Sequence, residues 1–209
     1  MPQKYTVIVG DVIKSGKIRE RDRYWSSLQD VTNSINTKYR EEFYAPITIL
    51  KGDEISAVLN RLHFSYAIMR DFQEMFYPYQ IRFVSVYDEI DIALETRNAS
   101  LMDGPAFWKA NEYLEYIKKR KLYFKFDFGN NVIDNMLTTI ANLVAFIKYD
   151  WSEREKEIID LYEKTKRQEI VAKEFNISQQ SVSDALKRAH WQIVRESEEV
   201  ILKVLRSYK

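Results

Sequence analysis

The spacing of apolar positions changes period several times over the first 130 residues. Tyr5 to Val9 reads as a short β-branched strand closing at Gly10-Asp11. Residues 20–39 carry Tyr24, Trp25, Leu28, Val31, Ile35 and Tyr39 at the three-and-four spacing of an amphipathic helix. Residues 47–59 read as a hairpin, with Thr48 to Leu50 and Ile55 to Leu59 as strands about Gly52-Asp53. The stretch 63–76 predicts a second helix, stopped before Pro78. Ile81 to Tyr87 predicts a strand with Ile90 to Leu94 as its hairpin partner. Gly104-Pro105 opens a third helix, where proline suits the first turn. In that helix Phe107 and Trp108 read as packing residues. Leu122 to Phe128 predicts a strand whose Tyr123, Phe124, Phe126 and Phe128 supply core and sheet surface. The order β-α-β-β-α-β, followed by additions, is the split βαβ or ferredoxin-like pattern, with helices on one face of an antiparallel sheet.

A different pattern begins past residue 130. All five glycines and all four prolines lie before that point, so the remaining stretch predicts continuous helix. A helix over 131–149 bridges to a second part starting near Trp151, where Ser152 and Glu155 form a capping box. The expected organisation is an α+β domain over 1–130, a bridging helix over 131–150 and an all-α domain over 151–209. Within the last, "QEIVAKEFNISQQSVSDALKRA" (168–189) has the spacing of a helix-turn-helix. Ala172 is small where two helices cross, and Asn176 tolerates the left-handed turn. Ile177 plugs the space between the helices, Ser178 caps the second and Val182 packs back. The stretch resembles the DNA-binding helices of sigma-factor-like proteins and response regulators. Gln179, Gln180, Ser181, Ser183 and Asp184 then lie toward a major groove, and Lys173, Lys187 and Arg188 toward phosphates. After Trp191, the stripe Val194, Ile201, Val204, Leu205 either packs on this module's own helices or pairs with a second copy.

Composition narrows the picture. Lys plus Arg is 32 and Asp plus Glu 31, a net charge of +1, so attraction to nucleic acid must be local. Between 164 and 190 six basic residues face three acidic ones. There is no cysteine, which removes disulfides and thiolate metal sites. His63 and His190 are the two imidazoles, and His63 reads as structural. The N-terminal MPQKYTVIVGD is too short and charged for a signal peptide, and no apolar run is long enough to span a bilayer. The expectation is a cytoplasmic protein with no membrane partner.

The candidate chemistry lies in the α+β part. In a split βαβ fold the first strand and the central hairpin are neighbours, so Asp11, Asp53 and Glu54 converge on one edge of the sheet. Three unpaired carboxylates raise one another's pKa, and a hard divalent cation relieves that. Mg²⁺, held by a couple of carboxylates with water and substrate phosphates, fits. Gly52 permits the tight turn, and Lys14 and Ser15 beside Gly16 leave room for a nucleotide phosphate near the backbone.

This layout resembles the core shared by class III nucleotide cyclases, diguanylate cyclases and polymerase palms. "IVGDVIKSG" looks like the first-strand metal motif, "LKGDE" like the hairpin metal motif, and "GPAFWKANEYLE" like the helix after a cyclase G-x-x-V-N-x-A pattern. The set GDVIKS, GDE and GPAFWKA ahead of a helical C-terminal region resembles the SatD family. That resemblance implies a cyclase/palm-like domain over roughly residues 5 to 130. Three positions depart from the cyclase pattern. Trp108 and Glu112 stand where the resemblance implies a transition-state Asn and Arg, and Ile49 stands where it implies a purine-selecting Lys. Ordinary purine cyclisation is therefore not expected; Lys14, Lys51 and Lys109 are candidates to replace the charge. The leading expectation is a DNA-binding regulator whose N-terminal domain binds metal or nucleotide, acting on duplex DNA as a homodimer. The rival is a metal-dependent nucleotidyl transferase or cyclase with a helical assembly tail.

Overall fold

A computed structural model describes residues 3–208. The residues up to 139 together with those from 202 form one compact unit, and residues 140–201 form a second.

The first unit is built on a five-stranded sheet: β1 (Lys4–Val12), β2 (Phe43–Leu50), β3 (Glu54–Leu59), β4 (Ile81–Glu89) and β5 (Phe124–Asp127), in the order β2-β3-β1-β4-β5. β1, β2, β3 and β4 pair antiparallel, and β5 joins β4 in parallel. With α1 (Arg21–Lys38) between β1 and β2 and α2 (Ser65–Met75) between β3 and β4, the first four strands have the ferredoxin-like order. The sheet is not wholly antiparallel, because α3 (Pro105–Arg120) carries the chain back as a crossover from β4 to β5.

Each face of the sheet is buried. On one, Val7, Val9, Val84 and Val86 pack with Ala106, Phe107, Ala110, Leu114 and Ile117 of α3. On the other lies an aromatic core in which Tyr24 of α1 meets Phe76 at 6.1 Å, Phe72 of α2 meets Phe83 at 5.6 Å and Tyr66 meets Phe124 at 5.7 Å. Helices therefore cover both faces, not one.

Three further expectations change. β1 does not close at Gly10-Asp11 but runs on to Val12. Gly10 sits mid-strand because a Cβ there would lie 2.7 Å from the Phe83 ring and 2.9 Å from Ile55. The segment from Ile90 to Leu94 is not a strand: Ile92 makes an isolated bridge to Asp103, followed by a short 3-10 turn over Leu94–Thr96. Trp108 is 58% exposed while Phe107 is buried, since the packing side of α3 follows 106, 107, 110, 114 and 117 and turns 108 outward.

The helical region comprises α4 (Asn131–Asp150), α5 (Glu153–Thr165), α6 (Gln168–Glu174), α7 (Gln179–Arg188) and α8 (Trp191–Ser207). The Ser152–Glu155 capping box starts α5, with both reciprocal hydrogen bonds present. Ile158, Ile159, Val171, Ala172, Val182, Ala185, Leu186 and Ala189 form the core of the second unit. Glu198 is buried there, held by Lys148 at 3.0 Å and Arg195 at 3.3 Å. Val194, Ile201 and Leu205 of α8 are buried, and Val204 is half-buried. No helix among the described residues is long and apolar enough to cross a membrane.

Candidate functional site

The candidate acids lie where β1 approaches the β2–β3 hairpin. Asp11 opposes Glu54 across β3 and Arg82 across β4, so the three residues share one row of the sheet. Directly opposed residues point to the same face, and here that face is the one α3 covers. Lys118, in the last turn of α3, places its ammonium 3.0 Å from the Asp11 carboxylate, and the Arg82 Nε stands 3.7 Å from it. Burial works against the Lys118 ammonium, but hydrogen bonds to Asp11 and Glu115 outweigh it and hold its pKa above the ordinary lysine value. At 3.7 Å the buried Arg82 Nε is too far from Asp11 for a hydrogen bond and has no such partner among the described residues.

Asp53 lies beside the same strand end but turns elsewhere. Its carbonyl accepts from the Val12 amide at 3.0 Å, and its carboxylate accepts from the Ser15 hydroxyl at 2.6 Å. Gly52 holds the turn at φ 81°, a conformation glycine adopts without strain, and its carbonyl accepts from the Tyr24 hydroxyl at 2.9 Å. The Tyr24 phenol is pushed up to about 12, first by burial, then by the Asp53 carboxylate, with Arg21 pulling it down and Asp11 pushing it up again. Both Asp11 and Asp53 thus act electrostatically on one hydroxyl. Lys14 is exposed in the left-handed region at φ 58°, one residue before Ser15.

The expected convergence is therefore partial. Asp11 and Glu54 share a row, and Asp53 with Ser15 lies alongside, yet among the described residues no three acidic or imidazole side chains gather into a group able to hold a metal ion. The reason is local. Asp11 points to the α3 face, where two cations meet it, whereas the hairpin turn aims Asp53 at the β1–α1 loop.

Sequence reasoning missed Arg82 and Lys118, because nothing in their local pattern marks them. Only the register of β4 and the length of α3 bring them to Asp11. Lys109 is not at this rim. It pairs with Asp88 at 2.5 Å, near the opposite end of β1, where Lys4 also reaches Asp88 at 3.2 Å.

In the second unit the candidate nucleic-acid residues lie on and around α7. Ser178 caps this helix by accepting from the Ser181 amide at 3.0 Å, and Asn176 takes φ 52° in the turn before it. Val182, Ala185 and Leu186 are buried. Gln179, Gln180, Ser181, Lys187 and Arg188 are exposed, as is Lys173 of α6, while Ser183 and Asp184 are half-buried. Two acids temper this face. The Gln180 amide donates to Asp184 at 2.9 Å, and Arg188 lies 3.6 Å from Glu155.

The His63 Nε2 lies 3.0 Å from the Tyr208 carbonyl.

Among solved structures, the guanylyl cyclase Cya2 is similar at 12% identity and a TM-score of 0.39, covering 55% of this chain and 70% of that one. A bacterial light-regulated adenylyl cyclase is similar at 13% identity and a TM-score of 0.38, covering 60% of this chain and 44% of that one. Scores this low do not bear on the chemistry of the rim. No curated protein matches. The resemblance drawn from GDVIKS, GDE and GPAFWKA does extend through the chain: it matches the SatD family over residues 5–203, and it belongs to that family.

Proposed function

We propose that the first unit binds the polyphosphate of a nucleotide, accompanied by Mg²⁺, at the rim formed by β1 and the β2–β3 hairpin. The observation that carries this reading is the mixture of charges in one place: Asp11 with Lys118 and Arg82 on one side, Asp53 with Ser15 on the other, and the Tyr24 hydroxyl under the influence of both acids. A polyphosphate site needs cations for its oxygens and one or two carboxylates for the ion. A bare Mg²⁺ does not fit this donor set well, since Asp11 already has two cations. A phosphate that draws Lys118 and Arg82 to itself leaves Asp11 available beside Asp53, so metal and nucleotide fit together better than either alone. Bound there, the ion would supply charge neutralisation on phosphate oxygens. Trp108 and Glu112 supply neither the amide nor the guanidinium implied by the cyclase pattern, so purine cyclisation is not part of the proposal.

The test is calorimetric titration with GTP and ATP, with and without Mg²⁺. Binding should need both components, and Asp53→Ala and Lys118→Ala should each weaken it by about tenfold or more, as loss of a charged contact to phosphate does. Tight binding of Mg²⁺ alone would sink this account, as would nucleotide affinity indifferent to both substitutions. Turnover to a cyclic product, abolished by Asp53→Ala, would overturn the exclusion of cyclase chemistry.

A second reading concerns the other unit: α6, its turn and α7 as a helix-turn-helix that binds duplex DNA. A specific feature favours it. α7 buries one face and leaves a Ser178-capped first turn with Gln179, Gln180 and Ser181 outward, flanked by Lys173, Lys187 and Arg188. Taken together, the two readings describe a regulator whose nucleotide-binding unit is joined to a DNA-binding one. Anisotropy titration of a duplex at low salt tests the second; no binding there removes it and leaves the first untouched.

A further inference from the structure

We infer that the groove between α1 and the outer edge of β2 holds the base of the nucleotide, a planar heteroaromatic ring laid against Trp25 and read by side-chain amides; this rests on the polyphosphate reading of the rim.

β2 stands at one edge of the sheet, with a strand on one side only. A cavity of about 310 Å³ lies between it and α1, walled by Ile47 and Ile49 of the strand and by Trp25, Gln29, Thr32, Asn33 and Asn36 of the helix. That volume is at the lower end of ligand pockets. No residue lining it is charged. Asn36 is already engaged: its side-chain amide donates to the Ile47 carbonyl at 3.0 Å and accepts from the Ile47 amide at 2.8 Å. Those two bonds occupy the strand edge at Ile47, and Pro46 beside it has no amide hydrogen to offer. A further strand therefore does not add here, and the cavity remains for a small ligand.

The other polar groups of the cavity await a partner. Among the described residues the side-chain amides of Gln29 and Asn33 and the Trp25 indole N–H make no hydrogen bond. Thr32 is 5% exposed, and its hydroxyl has no partner either. Trp25 is 40% exposed and meets no other ring or cation.

What the cavity fits is set by what stands at each step of α1. Arg21, the first residue of the helix, belongs to the rim: it donates to the Ser15 carbonyl at 2.9 Å, and Ser15 donates to Asp53 at 2.6 Å. Trp25, Gln29 and Asn33 follow at intervals of four on the same side of the helix. At 1.5 Å per residue, Trp25 lies about 6 Å and Gln29 about 12 Å beyond Arg21 along the axis. A nucleotide has the same succession: charged phosphates, then a sugar, then a flat neutral ring with donors and acceptors on its edge. Aromatic faces stack on bases, and carboxamides pair with base edges. An aliphatic ligand would leave the amides and the Thr32 hydroxyl unpaired.

Calorimetric titration of the full-length protein with GTP, ATP and inorganic tripolyphosphate, each with Mg²⁺, tests this. Trp25→Ala and Asn33→Ala should each weaken the preferred nucleotide by about tenfold or more, yet change tripolyphosphate by less than about twofold. Lys118→Ala should weaken all three. Trp25→Phe keeps a stacking face and should retain most of the nucleotide affinity, which separates loss of stacking from loss of fold. Gln29→Ala should shift the ratio of GTP to ATP affinity, because the amides read the base edge. Nucleotides that bind no better than tripolyphosphate, or that bind indifferently to Trp25 and Asn33, overturn the base site and leave the rim standing. Equal losses for tripolyphosphate and nucleotide in Trp25→Ala overturn it as well. No binding of any of the three would remove the rim reading and this one with it.

Discussion

A single carboxylate ties the end of α1 to α2. Asp71 of α2 is 5% exposed and accepts from Lys38 at 2.5 Å, from the Tyr39 hydroxyl at 2.6 Å and from Arg70 at 2.7 Å. Burial pushes its pKa up, but the hydrogen bonds from Lys38, Tyr39 and Arg70 win and hold it below the ordinary carboxylate value. A depressed folded pKa means a contribution to stability that is complete above the unfolded value of about 3.9 and is lost as pH falls through the folded one. Asp71→Asn keeps the shape and some acceptor capacity but leaves the cations without their charge. It should cost about 2 kcal/mol at neutral pH, below the full figure for breaking a buried pair because Lys38 is half in solvent. Urea titrations of both proteins at a series of pH values would measure this. The gap should narrow as pH falls below the unfolded carboxylate value of about 3.9 and close once pH is below the depressed folded value; a constant gap would mean the network acts by shape alone. Nothing in the sequence flagged this cluster. Lys38 and Tyr39 lie more than thirty residues from Asp71, and only the packing of α1 on α2 brings them together.

At the scale of elements, legibility in the sequence followed the locality of the signal. The capping box of α5, the Ser178 cap of α7 and the proline in the first turn of α3 are contained within a few neighbouring residues, and each stands where its pattern indicates. The segment after β4 alternates at Ile90, Ile92 and Leu94 and so reads as a strand, but in the fold only Ile92 pairs, in an isolated bridge to Asp103. β1 was cut short for a related reason: a glycine usually weakens a strand interior, so Gly10 read as an end. What keeps it inside the strand is distant in sequence, the Phe83 ring and Ile55 occupying the space a side chain would need. Gly10→Ala should therefore destabilise the first unit by about 1–3 kcal/mol through overpacking, although alanine is ordinarily no worse than glycine in a strand. A shift of the denaturant midpoint at unchanged slope is the expected reading. A neutral result would show that Phe83 moves aside freely. The candidate rim divides in the same way. Asp11, Asp53 and Ser15 are visible as local motifs, whereas Lys118 and Arg82 come from the last turn of a crossover helix and the register of a third strand.

Over the whole molecule charge nearly cancels, 32 basic residues against 31 acidic, so any attraction to DNA has to arise from the local surplus around α7. That surplus is thin. Arg188 stands 3.6 Å from Glu155, and Lys187 stands 4.0 Å from Asp184. Both basic side chains are largely exposed, so these pairs are weak and can yield to phosphate. If α7 binds DNA with Lys173, Lys187 and Arg188 on phosphates, one copy neutralises about three of them, and the logarithm of affinity should fall with the logarithm of salt at a slope of about −3. Two copies on one duplex would take the slope to about −5. Lys187→Ala with Arg188→Ala should flatten the slope and weaken all sequences alike, whereas Gln180→Ala should alter preference among sequences by roughly 1–3 kcal/mol. Anisotropy titrations over a range of salt would distinguish these effects. A slope that ignores Lys187 and Arg188 would remove α7 from the DNA reading. A slope of about −3 would show that DNA engages single copies.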